Sequence, residues 1–154
     1  MKNLLIIMLM VVFTITTSCA QKLNADKVPV DVMTTFKAKY PNAEKVKWSM
    51  ENAKEYEVEF KMNKAAQSAN FAEDGKWIES EVEIEKSQLP QVVVDAINKL
   101  YPGAKIDEVE QASNPEIDLF YGVTVRFKGK KYDIDLKANG EIIKNVEVKE
   151  NETD

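Results

Sequence analysis

The chain has 154 residues, 44% of them hydrophobic and 31% charged. That is globular composition, with neither the low hydrophobicity of a disordered chain nor the cysteine density of a disulfide scaffold. The formal net charge is −5, with a single arginine (Arg126) and no histidine. A mildly acidic chain without a basic cluster argues against a nucleic-acid binder. Lack of histidine removes the commonest general base and the commonest metal ligand.

Residues 1–20 read as an export signal. Lys2 gives a positive start, and Leu4 to Phe13 is an unbroken apolar run of ten residues. That run is too short for a permanent span and has the length of a signal-peptide core. Two cleavages stay open. Thr17-Ser18-Cys19 resembles a lipobox, with Cys19 as the lipidated residue; Ser18-x-Ala20 is an ordinary small-x-small site. The lipobox is favoured because Cys19 is the only cysteine. The expected address is exported: a periplasmic or outer-membrane-anchored lipoprotein, touching the membrane through its N-terminal lipid only.

The rest reads as one unit written twice, over residues 26–86 and 87–149, with a tail at 150–154. Val28, Pro29, Val32, Phe36, Tyr40 and Pro41 match Leu89, Pro90, Val93, Ile97, Tyr101 and Pro102 at an offset of 61. Later residues match at an offset of 65, from Tyr56/Tyr121 to Ile78/Ile143, which places an insertion within 111–119. Each unit opens with apolar residues every four positions, the stripe of a helix. Asp26 and Ser87 are placed to cap it, Pro29 and Pro90 to sit in its first turn, and Pro41 and Pro102 to end it.

Each unit then changes to a period of two. Val46, Trp48 and Met50 alternate with polar residues, as do Tyr56–Met62, Ala65–Phe71, Tyr121–Phe127 and Tyr132–Leu136. That is the signature of an antiparallel sheet covered on one face. Asn63-Lys64 and Lys128-Gly129 read as hairpins; Asp74-Gly75 and Asn139-Gly140 read as type I′ turns. The expected fold is α+β: a tandem duplication of a helix plus four-stranded antiparallel sheet unit, with both helices packed on one sheet face.

The helix, the Tyr-Pro-x-Ala step, the Tyr-x-Val-x-Phe strand and the Asp-Gly or Asn-Gly hairpin resemble the beta-lactamase-inhibitor-like, PepSY-like domain family. These are mostly secreted or lipid-anchored proteins of Bacteroides-type bacteria. The likeness covers roughly Val28 to Val148. It implies the fold, an export route and a role in binding or inhibiting another protein. It carries no catalytic residues, and inhibition of a beta-lactamase does not follow from the family's name.

The residues themselves offer little chemistry. Ser68, Ser80, Ser87 and Ser113 have no activating neighbour, and a nucleophile needs a base at hydrogen-bond distance. Glu73-Asp74-Gly75 is too short for a calcium loop, and no glycine-rich loop could cradle a nucleotide. The expectation is no enzyme, no metal and no cofactor.

What remains is the polar sheet face, which carries Glu57, Glu59, Arg126, Asp133 and Asp135. Parity groups Trp77 with Glu79, Glu81 and Glu83, which would make it an exposed anchor of a kind enriched at interfaces; a bulge would turn it inward. Trp48 keeps step with Val46 and Met50 and reads as core. The function read from these features is a non-catalytic exported binding module for an envelope or extracellular protein or peptide. Inhibition of a protein or peptidase is its sharpest form. The alternatives are a structural or accessory envelope lipoprotein and a small-ligand or peptide-sensing domain with a pocket between the two copies.

Overall fold

The computed structural model describes residues 22–148; the signal segment with Cys19 and the tail at 150–154 lie outside them. In chain order the elements are β1 (Lys22–Leu23), α1 (Val30–Lys39), β2 (Glu44–Asn52), β3 (Glu55–Met62), β4 (Ala65–Ala72) and β5 (Trp77–Glu83). Then come α2 (Gln91–Leu100), β6 (Lys105–Ser113), β7 (Phe120–Phe127), β8 (Lys130–Lys137) and β9 (Ile142–Val148). A short 3₁₀ turn precedes each helix.

The expected pair of helix-plus-four-strand units is overturned by the sheet. All nine strands form one continuous sheet in the order β1 to β9. The join is antiparallel pairing of β5 with β6, from Ser80 opposite Ser113 to Glu83 opposite Glu110. An unpaired strand edge leaves a row of backbone donors and acceptors unsatisfied. Two separate four-stranded sheets would each expose such an edge here, and pairing them removes both. Local periodicity reports neither this join nor the two-residue β1, which pairs with β2 through Lys22–Ser49 and Leu23–Trp48.

The helices end where the prolines require. The Tyr40 and Tyr101 amides donate to the carbonyls of Phe36 and Ile97 at 2.8 Å, just before Pro41 and Pro102. Their starts differ from the expectation. Pro29 and Pro90 are the N-cap residues, and no side chain caps either helix. Asp26 and Ser87 fall inside the 3₁₀ turns instead.

Both helices lie on one face of the sheet. Val32 and Phe36 of α1 pack on Trp48, Val58, Phe60, Ala69 and Phe71. Val93 and Ile97 of α2 pack on Val109, Tyr121, Val123, Val125, Ile134 and Leu136. The register links Phe60 through Gln67, Val82 and Gln111 to Tyr121, so the two clusters share a face. Val46 departs from its alternation and is exposed, because a register shift falls between Glu44 and Lys47, where Lys45 has φ of 55°.

The hairpins divide into two kinds. Asn63-Lys64 has positive φ at both central residues, as does Lys128-Gly129, and these are the two-residue type I′ turns. At Asp74-Gly75 and Asn139-Gly140 only the glycine is positive, which corrects the type I′ reading there. The Gly75 amide donates to the Ala72 carbonyl and the Ala72 amide to the Lys76 carbonyl, both at 2.9 Å. That is a type I turn closed by a left-handed glycine. It also abuts α1: a Cβ on Gly75 would lie 2.7 Å from the Asp31 backbone, and one on Gly140 would lie 2.9 Å from the Val92 carbonyl oxygen.

Gly75→Ala is therefore expected to cost about 2 kcal/mol or more, from left-handed strain plus displacement of a helix start. Gly129→Ala meets nothing within 4 Å and should cost only the strain, about 1 kcal/mol. Urea unfolding of the two variants checks the difference; equal losses would show that the contact with α1 contributes nothing.

Candidate functional site

The face opposite the helices is the candidate site. Strand pairing arranges its side chains in rows across the sheet. One row runs Ser49, Glu57, Asn70, Glu79. The next runs Lys47, Glu59, Ser68, Glu81, Ala112, Phe120, Lys137. A third runs Glu83, Glu110, Gly122, Asp135, Lys144. Beyond it lie Glu108, Thr124 and Asp133, and then Lys105, Arg126 and Lys131 at the sheet's end.

Glu57, Glu59, Glu79, Glu81, Asp133 and Asp135 thus share this face, as the alternation predicts. Arg126 shares it too but stands apart from them, bound to Asp107 through Nη2 at 3.1 Å. Trp77 does not share it. The register slips between Asn70 and Phe71, so Trp77 opposes Phe71 on the helix side and Ile78 takes the extra position. Its ring packs against the α1 cluster, with the Lys39 Nζ 3.6 Å from the ring centroid. Its Nε1 donates to the Ser80 Oγ at 2.7 Å, and Ser80 also bonds the Tyr40 hydroxyl. Trp77 is thereby part of the packed side, not an anchor on the open one.

The carboxylates are crowded and half-buried. Burial first, then the charges of Glu81 and Asp135 and a hydrogen bond with Glu81, push Glu79 up to about 7; a bond from Asn114 opposes this. Burial, then the charges of Glu81, Glu108, Glu83 and Asp133, push Glu110 up to about 7. Glu57 is raised by burial, eased by the Ser49 hydroxyl, which donates to it at 3.0 Å. Asp135 is raised by burial, with Lys144 opposing. Asp135 meets Lys144 at 3.9 Å and Glu59 meets Lys47 at 3.9 Å, whereas Glu57, Glu79, Glu81 and Glu110 are in no ion pair among the described residues.

Three features of this face escape the alternation. Glu110 becomes part of the cluster because a register shift between Ile106 and Glu108 resets the parity of β6. Phe120 and Ala112 are buried here, outside both helix-side clusters. Gly122 interrupts the side chains of β7; the only sequence sign was a glycine inside an alternating run. A shallow depression of about 340 Å³ opens between Lys47, Lys61, Ser68, Glu81 and Glu110, over the small residues of β4. Among the described residues, no group of three or more acidic side chains converges as a metal ion would need.

A meandering antiparallel sheet, helices on one face and a crowded acidic surface on the other define a one-sided α+β scaffold. The chain belongs to the beta-lactamase-inhibitor-like, PepSY-like family, whose profile matches residues 14–66 and 54–145. A family DUF2874 protein from Bacteroides uniformis is 27% identical with a TM-score of 0.70, covering 78% of this chain and 89% of its own. A protein from Bacteroides eggerthii described as periplasmic is 22% identical with a TM-score of 0.69, covering 78% and 88%. A BLIP-like protein from Bacteroides fragilis is 23% identical with a TM-score of 0.67, covering 80% and 89%. No curated protein matches the chain.

Proposed function

We propose that the chain is a non-catalytic, exported binding module that engages an envelope or extracellular protein or peptide through its open sheet face. Inhibition of that partner is the sharpest form of this reading. The observation that carries it is the one-sided construction: both helices cover one face, and the other presents the half-buried Glu79 and Glu110, which among the described residues are in no ion pair. A pre-formed sheet spends little ordering entropy on binding. The inhibitor-like description of the family supports binding as the activity. Export is read from residues 1–20, with Cys19 as the lipid attachment point, and the periplasmic description of the Bacteroides eggerthii protein agrees with it.

The test is crosslinking capture from the native envelope with the tagged full-length chain. Ser68→Tyr adds bulk to the small-residue row of β4 on the open face. Ala38→Tyr adds the same bulk to the exposed side of α1. A partner captured by the wild-type chain should be retained by Ala38→Tyr and reduced about tenfold or more by Ser68→Tyr. Retention by Ser68→Tyr would refute the open face as the docking surface.

A further inference from the structure

Gly122 is the point where the open face changes character. It lies on β7 directly opposite Glu110 of β6 on one side and Asp135 of β8 on the other. Its backbone is not left-handed, so chain geometry does not demand a glycine. A Cβ placed there would lie 3.8 Å from Oδ1 of Asp135 and 3.9 Å from Oε2 of Glu110. Two carboxylates, from the strands on either side of β7, therefore flank a floor that has no side chain, with Glu81 one row away.

This arrangement costs the protein stability. A glycine inside a strand has nothing to pack. Burial, then the charges of Glu81, Glu108, Glu83 and Asp133, hold Glu110 far above the ordinary carboxylate range, while on the other side Lys144 is the cation that Asp135 meets, at 3.9 Å. A long cationic side chain offsets both costs. Its methylenes cover the glycine and its charged end donates hydrogen bonds to the carboxylates on both sides. An apolar side chain would desolvate the carboxylates further, and an acidic one would be repelled. The metal alternative lacks a third convergent acid among the described residues.

We propose that this face docks a protein partner by receiving one of its lysine or arginine side chains over Gly122, between Glu110 and Asp135. The inference rests on the open face being the docking surface and names the chemistry of what docks there.

The test is fluorescence anisotropy of a labelled hexa-arginine peptide with the purified full-length chain at pH 8, with hexa-glutamate as counter-probe. Gly122→Thr fills the floor while keeping every charge, and a β-branched residue suits a strand. Glu110→Gln removes one carboxylate. Asp95→Asn removes one charge from the exposed side of α2, where Asp95 accepts a hydrogen bond from Gln91 at 2.8 Å. Hexa-arginine should bind and hexa-glutamate should not. Gly122→Thr and Glu110→Gln should each weaken binding about tenfold or more, and Asp95→Asn less than about twofold.

Equal weakening by Asp95→Asn, or none by Gly122→Thr, would show diffuse attraction to an acidic protein and overturn the proposal. A thermal melt checks that Gly122→Thr is folded, with Gly122→Ala as the milder replacement. The crosslinked envelope partner separates the two readings. If its capture is lost with Ser68→Tyr yet unchanged by Gly122→Thr and Glu110→Gln, the cationic contact is refuted and the docking face stands. If Ser68→Tyr leaves capture intact, the docking face fails and this inference fails with it.

Discussion

Phe36→Ala is expected to destabilise the protein by about 3–5 kcal/mol, the usual cost of truncating a buried phenylalanine. Phe36 is 4% exposed and is the hub of the α1 cluster. Its ring centroid lies 5.2 Å from Trp48, 5.4 Å from Phe60, 5.6 Å from Tyr40 and 6.4 Å from Phe71. Three of these contacts are edge-on, and each such pair adds about 0.5–1.5 kcal/mol beyond area burial. For a domain of about 130 residues the loss corresponds to a melting temperature lower by roughly 10–20 °C. Calorimetry of Phe36→Ala tests a second point. The two helix-side clusters share no residue, yet one continuous sheet joins them. A single shifted transition would show that the β5–β6 pairing makes them one cooperative unit; a split transition, with only one half moved, would show two.

The fold was legible wherever a period was unbroken. Val32 and Phe36, and Val93 and Ile97, recur every four residues and are the buried residues of the two helices. Val58, Phe60, Ala69 and Phe71 alternate and are buried together. What could not be read is whatever changes parity without changing composition. The slip between Asn70 and Phe71 moves Trp77 from the acidic face to the packed one, and nothing in Trp-Ile-Glu-Ser announces it. The bulge at Lys45 exposes Val46, and the shift after Ile106 brings Glu110 into the site. The join between β5 and β6 is a matter of unsatisfied edges, which periodicity within a strand does not encode. The acidic character of the site was visible in Glu57, Glu79, Glu81 and Asp135. Its centre was not, because the convergence over Gly122 depends on the register of three strands at once.

The other large effect concerns pH, and it runs against ordinary acid denaturation. Glu79 and Glu110 titrate near pH 7 in the folded protein and near 4.5 when unfolded. Between these values the folded chain holds protons that the unfolded chain has released. Stability must therefore fall as pH rises from about 4.5 through 7, and the loss is complete above the folded values. Both groups are partly solvated, so the full shift overstates the loss; about 1–2 kcal/mol each is the expected size. Glu79→Gln and Glu110→Gln keep the shape and remove the charge. At pH 8 each is expected to stabilise the protein by that amount, and the double variant by about 2–4 kcal/mol. At pH 4 the gain should vanish, because the wild-type groups are already neutral there. Urea unfolding of the wild-type and double variant across this range checks both limbs. A gain that persists at pH 4 would mean that the glutamines act by packing and not by removing charge. If the gain disappears as expected, the open face is a place where the chain keeps ionised groups that weaken its own fold. Such groups are retained at cost where they serve an interaction, and the same substitutions that strengthen the fold should weaken its hold on a cationic partner.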